Sequence, residues 1–177
     1  MTYNITIEER LTAQKHQAIL IRCVSLGTHT GEYEGKPWSR AQLYLEYELP
    51  QVKRRTGAPF TVGRIFTHSM YEKSQLCQSL KEWIGEEKLQ SGDFFLKDLL
   101  GQPAELEITS FKQGDKTKFS IGKIFPAKGE QTSRRTHNDP VYFEMDSVFD
   151  EFTYSMLPSW MKEKIAASPE YKRFHKS

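Results

Sequence analysis

The chain has 177 residues, 37% of them hydrophobic and 27% charged, with a formal net charge of +2 and a mean hydropathy of -0.64. That length supports one good hydrophobic core, and no apolar run approaches the ~18 residues of a bilayer-spanning helix, so no membrane role is indicated. Cys23 and Cys77 are too few and too far apart for a disulfide framework or a metal knuckle, and both read as buried free thiols.

The N-terminal "MTYNITIEERLTAQKHQ" is polar and lacks the apolar core of a secretion signal, which predicts a cytoplasmic chain with residues 1–17 as an extension. Residues 18–28, "AILIRCVSLGT", form the first strand candidate, followed by a Gly-rich polar connection, "GTHTGEYEGKPW", over 27–38. A second strand is expected at 40–49, "RAQLYLEYEL", then a loop over 50–59 carrying Lys53, Arg54 and Arg55. A third follows at 59–67, where "PFTVGRIFT" alternates with β-branched residues. There the period changes. Ser69 and Glu72 have the spacing of a capping box, which predicts a helix from near Met70. Leu76, Leu80, Trp83 and Ile84 fall on one face, and Gly85 supplies the terminating left-handed position, giving a helix of about four turns. A helical turn is expected at Phe94 to Leu100. Two more strands, 104–112 and 116–125, are joined by the hairpin link "QGD".

Three strands, one helix and two strands is the element order of a five-stranded OB-fold barrel, so the fold class is mainly β with an apolar helix stripe closing one barrel end. Residues 18–129 form that domain, 130–137 a linker, and 138–177 an acidic, aromatic extension with a short helix starting at Pro158 or Ser159. The charge is segregated accordingly. Five of the 25 Lys/Arg and seven of the 23 Asp/Glu lie in 138–177, so the first 137 residues carry +4 and the extension −2.

The succession "FTVGRIFTHSMYEKSQLCQSLKEWIG", "FFLKDLLGQPAELEI" and "FSIGKIFPAKG" resembles phage-encoded single-stranded-DNA-binding proteins of OB-fold type, over about residues 18–129. "YEKSQL" and "LKDLLGQP" carry most of the likeness, and "DPVYFEMD" and "LPSWMKEKIAASPEY" resemble the family's ends. The resemblance implies a role in phage DNA replication or recombination inside a bacterial host cell, with no catalytic residues. The chain departs from the pattern in its lysine-rich "SFKQGDKTK" and in ending on "KRFHKS" rather than an acidic motif.

Single-strand binding needs cations for phosphates and flat rings for bases. Alternation in the second strand puts Leu43, Leu45, Tyr47 and Leu49 on one face and Arg40 and Tyr44 on the other, and Arg64 and Phe66 share a face of the third strand. Trp38 ends the first loop. Lys53, Arg54 and Arg55 crowd the second loop, and Phe111, Lys112, Lys116 and Lys118 belong to the last hairpin. For Phe66 and Phe111 a core position competes with stacking, and for the Lys53 cluster a merely solvated loop. No histidine or acidic spacing suggests a metal site, no nucleotide loop is present, and neither a cofactor nor an enzymatic activity is expected. The expected function is sequence-independent coating of single-stranded DNA. The alternative is a protein-interaction module on an OB-like barrel, a replisome adaptor or an inhibitor of a host defence enzyme. On either reading the extension is expected to dock a replication or recombination protein, mimic nucleic acid in the groove, or pack on the barrel; a homo-oligomer is among the expected partners.

Overall fold

The computed structural model describes residues 14–128 and 136–176; residues 1–13, most of the expected N-terminal extension, and 129–135, most of the expected linker, lie outside it. The chain is mainly β. Three strands come first, β1 (Lys15–Tyr33), β2 (Lys36–Lys53) and β3 (Pro59–Thr67). Helices α1 (Gln75–Ile84) and α2 (Glu86–Leu89) and a 3-10 turn (Leu96–Leu99) lead to β4 (Pro103–Gln113) and β5 (Lys116–Pro126). The extension adds β6 (Val141–Phe143), α3 (Glu151–Ser155), α4 (Ser159–Ala166) and α5 (Pro169–Phe174).

The strands form one open, largely antiparallel sheet in the order β3-β2-β1-β4-β5, with β6 beside β1. Its end strands approach each other without a backbone ladder. Side chains bridge them instead: Arg64 on β3 donates to the carbonyls of Gly122 (3.2 Å) and Ile121 (3.5 Å) on β5, and the Phe60 and Phe119 rings meet edge to face with centroids 6.4 Å apart. The inward faces of the strands fill the enclosed core with Leu20, Cys23, Leu43, Leu45, Tyr47, Leu49, Val62, Leu106, Ile108 and Ile124. Burial, and secondarily Glu144, push the Cys23 thiol up to about 12.

Besides β2 running on to Lys53 into the expected 50–59 loop, and the extension carrying three short helices in place of one, three details differ from the sequence-based expectation. The segment 27–38 is not a loop, because Glu34 (φ 50°) and Gly35 (φ 79°) make the two-residue, left-handed turn that matches strand twist, so β1 and β2 run on through it as one long hairpin. The helix starts at Gln75, not Met70. Ser74 is the N-cap: its hydroxyl donates to the Ser69 carbonyl (2.7 Å) and accepts from the Cys77 amide (3.1 Å), while residues 72–74 form a turn closed by the Ser74 amide on the Tyr71 carbonyl. Beyond that point Leu76, Leu80 and Trp83 bury themselves as their spacing requires, Trp83 donates to the Pro103 carbonyl (2.8 Å), and Gly85 at φ 90° ends the helix. Among the described residues there are six strands rather than five. β4 covers β1 only from Lys15 to Ile19, and β6 pairs in parallel with the next free stretch, Arg22 to Val24.

The extension builds a second apolar layer on the outer face of the sheet. Val24 and Leu26 of β1 pack with Phe143, Met145, Leu157, Met161 and Ile165, bordered by Tyr44, Phe149, Tyr154 and Tyr171. Polar contacts fix its placement. Glu170 takes the amide (2.9 Å) and hydroxyl (2.5 Å) of Thr28, bonds that outweigh desolvation and hold its carboxyl below the usual range. Gly27 lets α5 approach: a Cβ there would lie 2.3 Å from that of Ser168. Glu48, 2% exposed, accepts from the amides of His137 (3.0 Å) and Asn138 (2.9 Å) and from the Asn138 side chain (2.8 Å).

Glu48 belongs to none of the ion pairs among the described residues, so its three donors carry the whole cost of burying a carboxylate. We predict that Glu48→Ala lowers the unfolding free energy by about 1.5–3 kcal/mol, measured by urea denaturation, since two backbone amides lose their acceptor. A loss within ~0.5 kcal/mol would mean that water replaces the carboxylate without cost. The other end of the extension carries a pH-dependent clasp. The His175 ring contacts the Tyr171 carbonyl (2.9 Å) and the Glu151 carboxylate (2.8 Å), which together raise its pKa, and it stacks on Tyr171 at 4.0 Å and meets Phe149 at 4.6 Å. Because the folded-state pKa is raised, the clasp is fully present below the ordinary value of about 6.5 and is lost as pH rises through the raised value. An NMR titration of the His175 ring should show a midpoint above that value, falling in Glu151→Gln; an unchanged midpoint in the variant would remove Glu151 from the clasp.

Candidate nucleic-acid interface

The strand registers sort the candidate ligand-binding residues into separate places. Trp38 faces Gly31 and Arg40 faces His29 near the far end of β1, on the long hairpin. The Trp38 indole lies flat on Gly31, where a Cβ would come within 2.5 Å of it, and the Arg40 guanidinium sits 5.2 Å from its ring centre. Arg40 is exposed and Trp38 half-buried.

Tyr44 lies on the outer face as alternation predicts, but the extension reaches it. Its ring packs over Gly63, where a Cβ would lie 2.0 Å from the phenol oxygen, and the edge of Trp160 meets it at 5.0 Å. Burial first, then Glu46, raise its phenol well above the usual value. Beyond it the same face is occupied by the Arg22–Glu46 ion pair (2.9 Å) and by Glu48 under Asn138. Arg64 and Phe66 do share a face, but not the one beside Arg40 and Tyr44 that a β1–β2–β3 meander predicts: Arg64 is registered with Leu45 and Phe66 with Leu43, so their face is the inner one. Phe66 is 2% exposed in the core, and Arg64 spans the seam 4.5 Å above the Phe66 ring, where desolvation lowers its pKa.

The remaining candidates converge. β2 runs past Glu48, the partner of Ile19, to the turn after Lys53, while β4 runs past Glu107, the partner of Lys15, to its hairpin with β5. Both turns therefore project beyond the N-terminal end of β1, opposite Trp38. They meet through Phe60 and Phe119, and Arg54 lies on the Phe60 ring at 4.6 Å. Lys53, Arg54, Arg55, Lys112, Lys116 and Lys118 are all exposed, with Asp115 the one acid in these two segments, and none of the six enters an ion pair found among the described residues. Phe111 is 51% exposed opposite Lys118 on the hairpin, so it is free of the core.

Between the two turns runs an open groove of about 270 Å³, lined by residues 60–63 of β3 and 117–119 of β5. Phe60 and Phe119 escaped the sequence reading, although alternation puts Phe60 on the same face of β3 as the candidates Arg64 and Phe66. Their placement directly after "KRRTGAP" and within "KTKF" was the available signal. The arrangement offers cations, one exposed ring and two half-buried rings at one end of the sheet. No protein-family model matches the chain, and no curated protein matches it.

Aromatic pairs of the Tyr44–Trp160 kind contribute about 0.5–1.5 kcal/mol beyond area burial. A double-mutant cycle of Tyr44→Ala and Trp160→Ala, read by urea denaturation, should give a coupling energy in that range, about 0.5–1.5 kcal/mol. Strict additivity would show that the two rings do not stabilise each other in solution.

Proposed function

We propose that this protein is a non-catalytic single-stranded-DNA-binding protein built on an OB-type barrel and serving phage DNA replication or recombination in the cytoplasm of a bacterial host. The observation that carries the reading is the convergence of six unpaired cations from two separate turns around Phe60, Phe119 and the exposed Phe111. Phosphates need unneutralised positive charge, and bases need accessible rings; the two turns gather six such cations around three rings, where the long hairpin pairs Arg40 with Trp38 alone among the candidates. The strand order, with β3 facing β5 across an unladdered seam, supports the OB assignment. The phage setting rests on the resemblance of "YEKSQL", "LKDLLGQP" and their surroundings. On this reading DNA runs across the β2–β3 and β4–β5 turns, not along the Tyr44 face, which the extension covers.

A second reading draws on the extension. Val148, Phe152 and Met156 remain about 70–76% exposed on its acidic surface, which suits docking of a replication or recombination protein. The two readings separate in one titration. With a fluorescent oligo-dT, single-strand affinity should fall with salt at about −0.7 per phosphate contacted, a log–log slope near −4 if all six cations engage. Charge reversal at Arg54 and Lys118 together should reduce the slope by more than one. A flat salt response, or no binding, favours the interaction module.

A further inference from the structure

The groove between β3 and β5 has the properties of a site for one base, which goes beyond sequence-independent coating. Ile108 donates its amide to the Gln14 carbonyl on the β1 side, so its partner Ile121 does not bond to β4 there, and the Ile121 carbonyl instead accepts from Arg64 across the seam. Backbone groups alternate along a strand, and those of Phe119 and Thr117 therefore point to the same side as those of Ile121, into the groove. No hydrogen bond among the described residues fills them. The groove thus combines an unpaired strand edge with the rings of Phe60 and Phe119, set at 88° so that they present one face and one edge. Lys118 lines it, and Arg54 stands at its wall on Phe60. A flat ligand with a hydrogen-bonding rim and an attached anion matches all three features. The groove volume of about 270 Å³ has room for one pyrimidine ring with its substituents.

We propose that the β3–β5 groove takes a single pyrimidine base turned out of the strand, stacks it on Phe119 and reads its pairing edge with the free backbone groups of Thr117 and Phe119. The phosphates flanking that base lie on Arg54 and Lys118. This site rests on the single-strand-binding reading and adds to it a dependence on the base edge.

The test compares oligo-dT with an oligonucleotide of the same length made of N3-methylthymidine, which keeps the charge and the ring and blocks the edge. The wild-type protein should bind the methylated strand about tenfold more weakly, the scale of losing bonded edge contacts to one base. Phe119→Ala should abolish that difference while leaving the salt slope unchanged. Thr117→Trp, which fills the groove from β5 without removing a core ring, should do the same and replaces Phe119→Ala if that variant fails to fold. Equal binding of the two strands by the wild type, at the expected salt slope, overturns the base site and leaves the single-strand reading intact. A discrimination that survives both variants places edge reading elsewhere and also overturns it. Absence of binding to either strand overturns the reading on which both depend.

Discussion

The sheet has to close without hydrogen bonds at its seam, and most of the structure's character follows from how it does so. Five strands curl until β3 and β5 face each other, yet their edges stay unladdered, and Arg64 substitutes one guanidinium for a row of backbone pairs. A guanidinium suits this task because its Nη1 carries two hydrogens, enough for both carbonyls, and the group remains charged when partly desolvated. Where Arg64 reaches, the seam is shut and Phe66 lies beneath it in the core. Beyond its reach the seam opens into the groove between Phe60 and Phe119. Arg64 and the Phe60–Phe119 contact thus bound the groove from two sides.

The outer face of the sheet follows a different logic. Val24 and Leu26 are apolar, and Glu46 and Glu48 are charged, yet all four are buried. Apolar surface of this kind is favourable only when covered, and a carboxylate can be covered only when donors meet it. The extension satisfies both requirements: Phe143, Met161 and Ile165 lie on the apolar part, and the backbone at His137 and Asn138 supplies amides to Glu48. Arg22 serves Glu46 from within the sheet. The extension is thus a layer of the fold as well as an acidic segment, and its charge arises from exposed residues around an apolar contact face.

This division also separates the electrostatics in space. The basic turns project beyond one end of β1, the Trp38–Arg40 pair sits near the other, and the acidic extension covers the sheet between them. In the proposed function such a layout draws a strand to the seam end and keeps it off the covered face, since interactions between exposed charges fade over about 8–10 Å at moderate salt. On the second reading proposed above, the exposed Val148, Phe152 and Met156 of this acidic segment would meet a protein, since carboxylates repel phosphate.

Period and punctuation alone determined the mainly-β character, the positions of β3, β4 and β5 within a residue or two, the buried stripe of α1 and its end at Gly85. These are local: a period-2 run buries alternate residues whatever its neighbours, and a glycine at φ 90° ends a helix by its own sterics. Local rules also put Tyr44 on the outer face and Arg64 with Phe66 on one face of β3. They could not say which face of β3 turns inward, because Thr61, Gly63, Ile65 and Thr67 are a mixed alternative and only the closing of the sheet chooses between the two. Three further matters needed the tertiary structure. β6 forms because β4 leaves β1 early, a vacancy no window of sequence contains. Tyr44 is covered because Trp160, more than a hundred residues later, packs against it. Lys53 to Arg55 and Lys112 to Lys118 become one cluster because two antiparallel hairpins happen to end on the same side of β1, and long-range register, unlike periodicity, is written only in the packing of the whole chain.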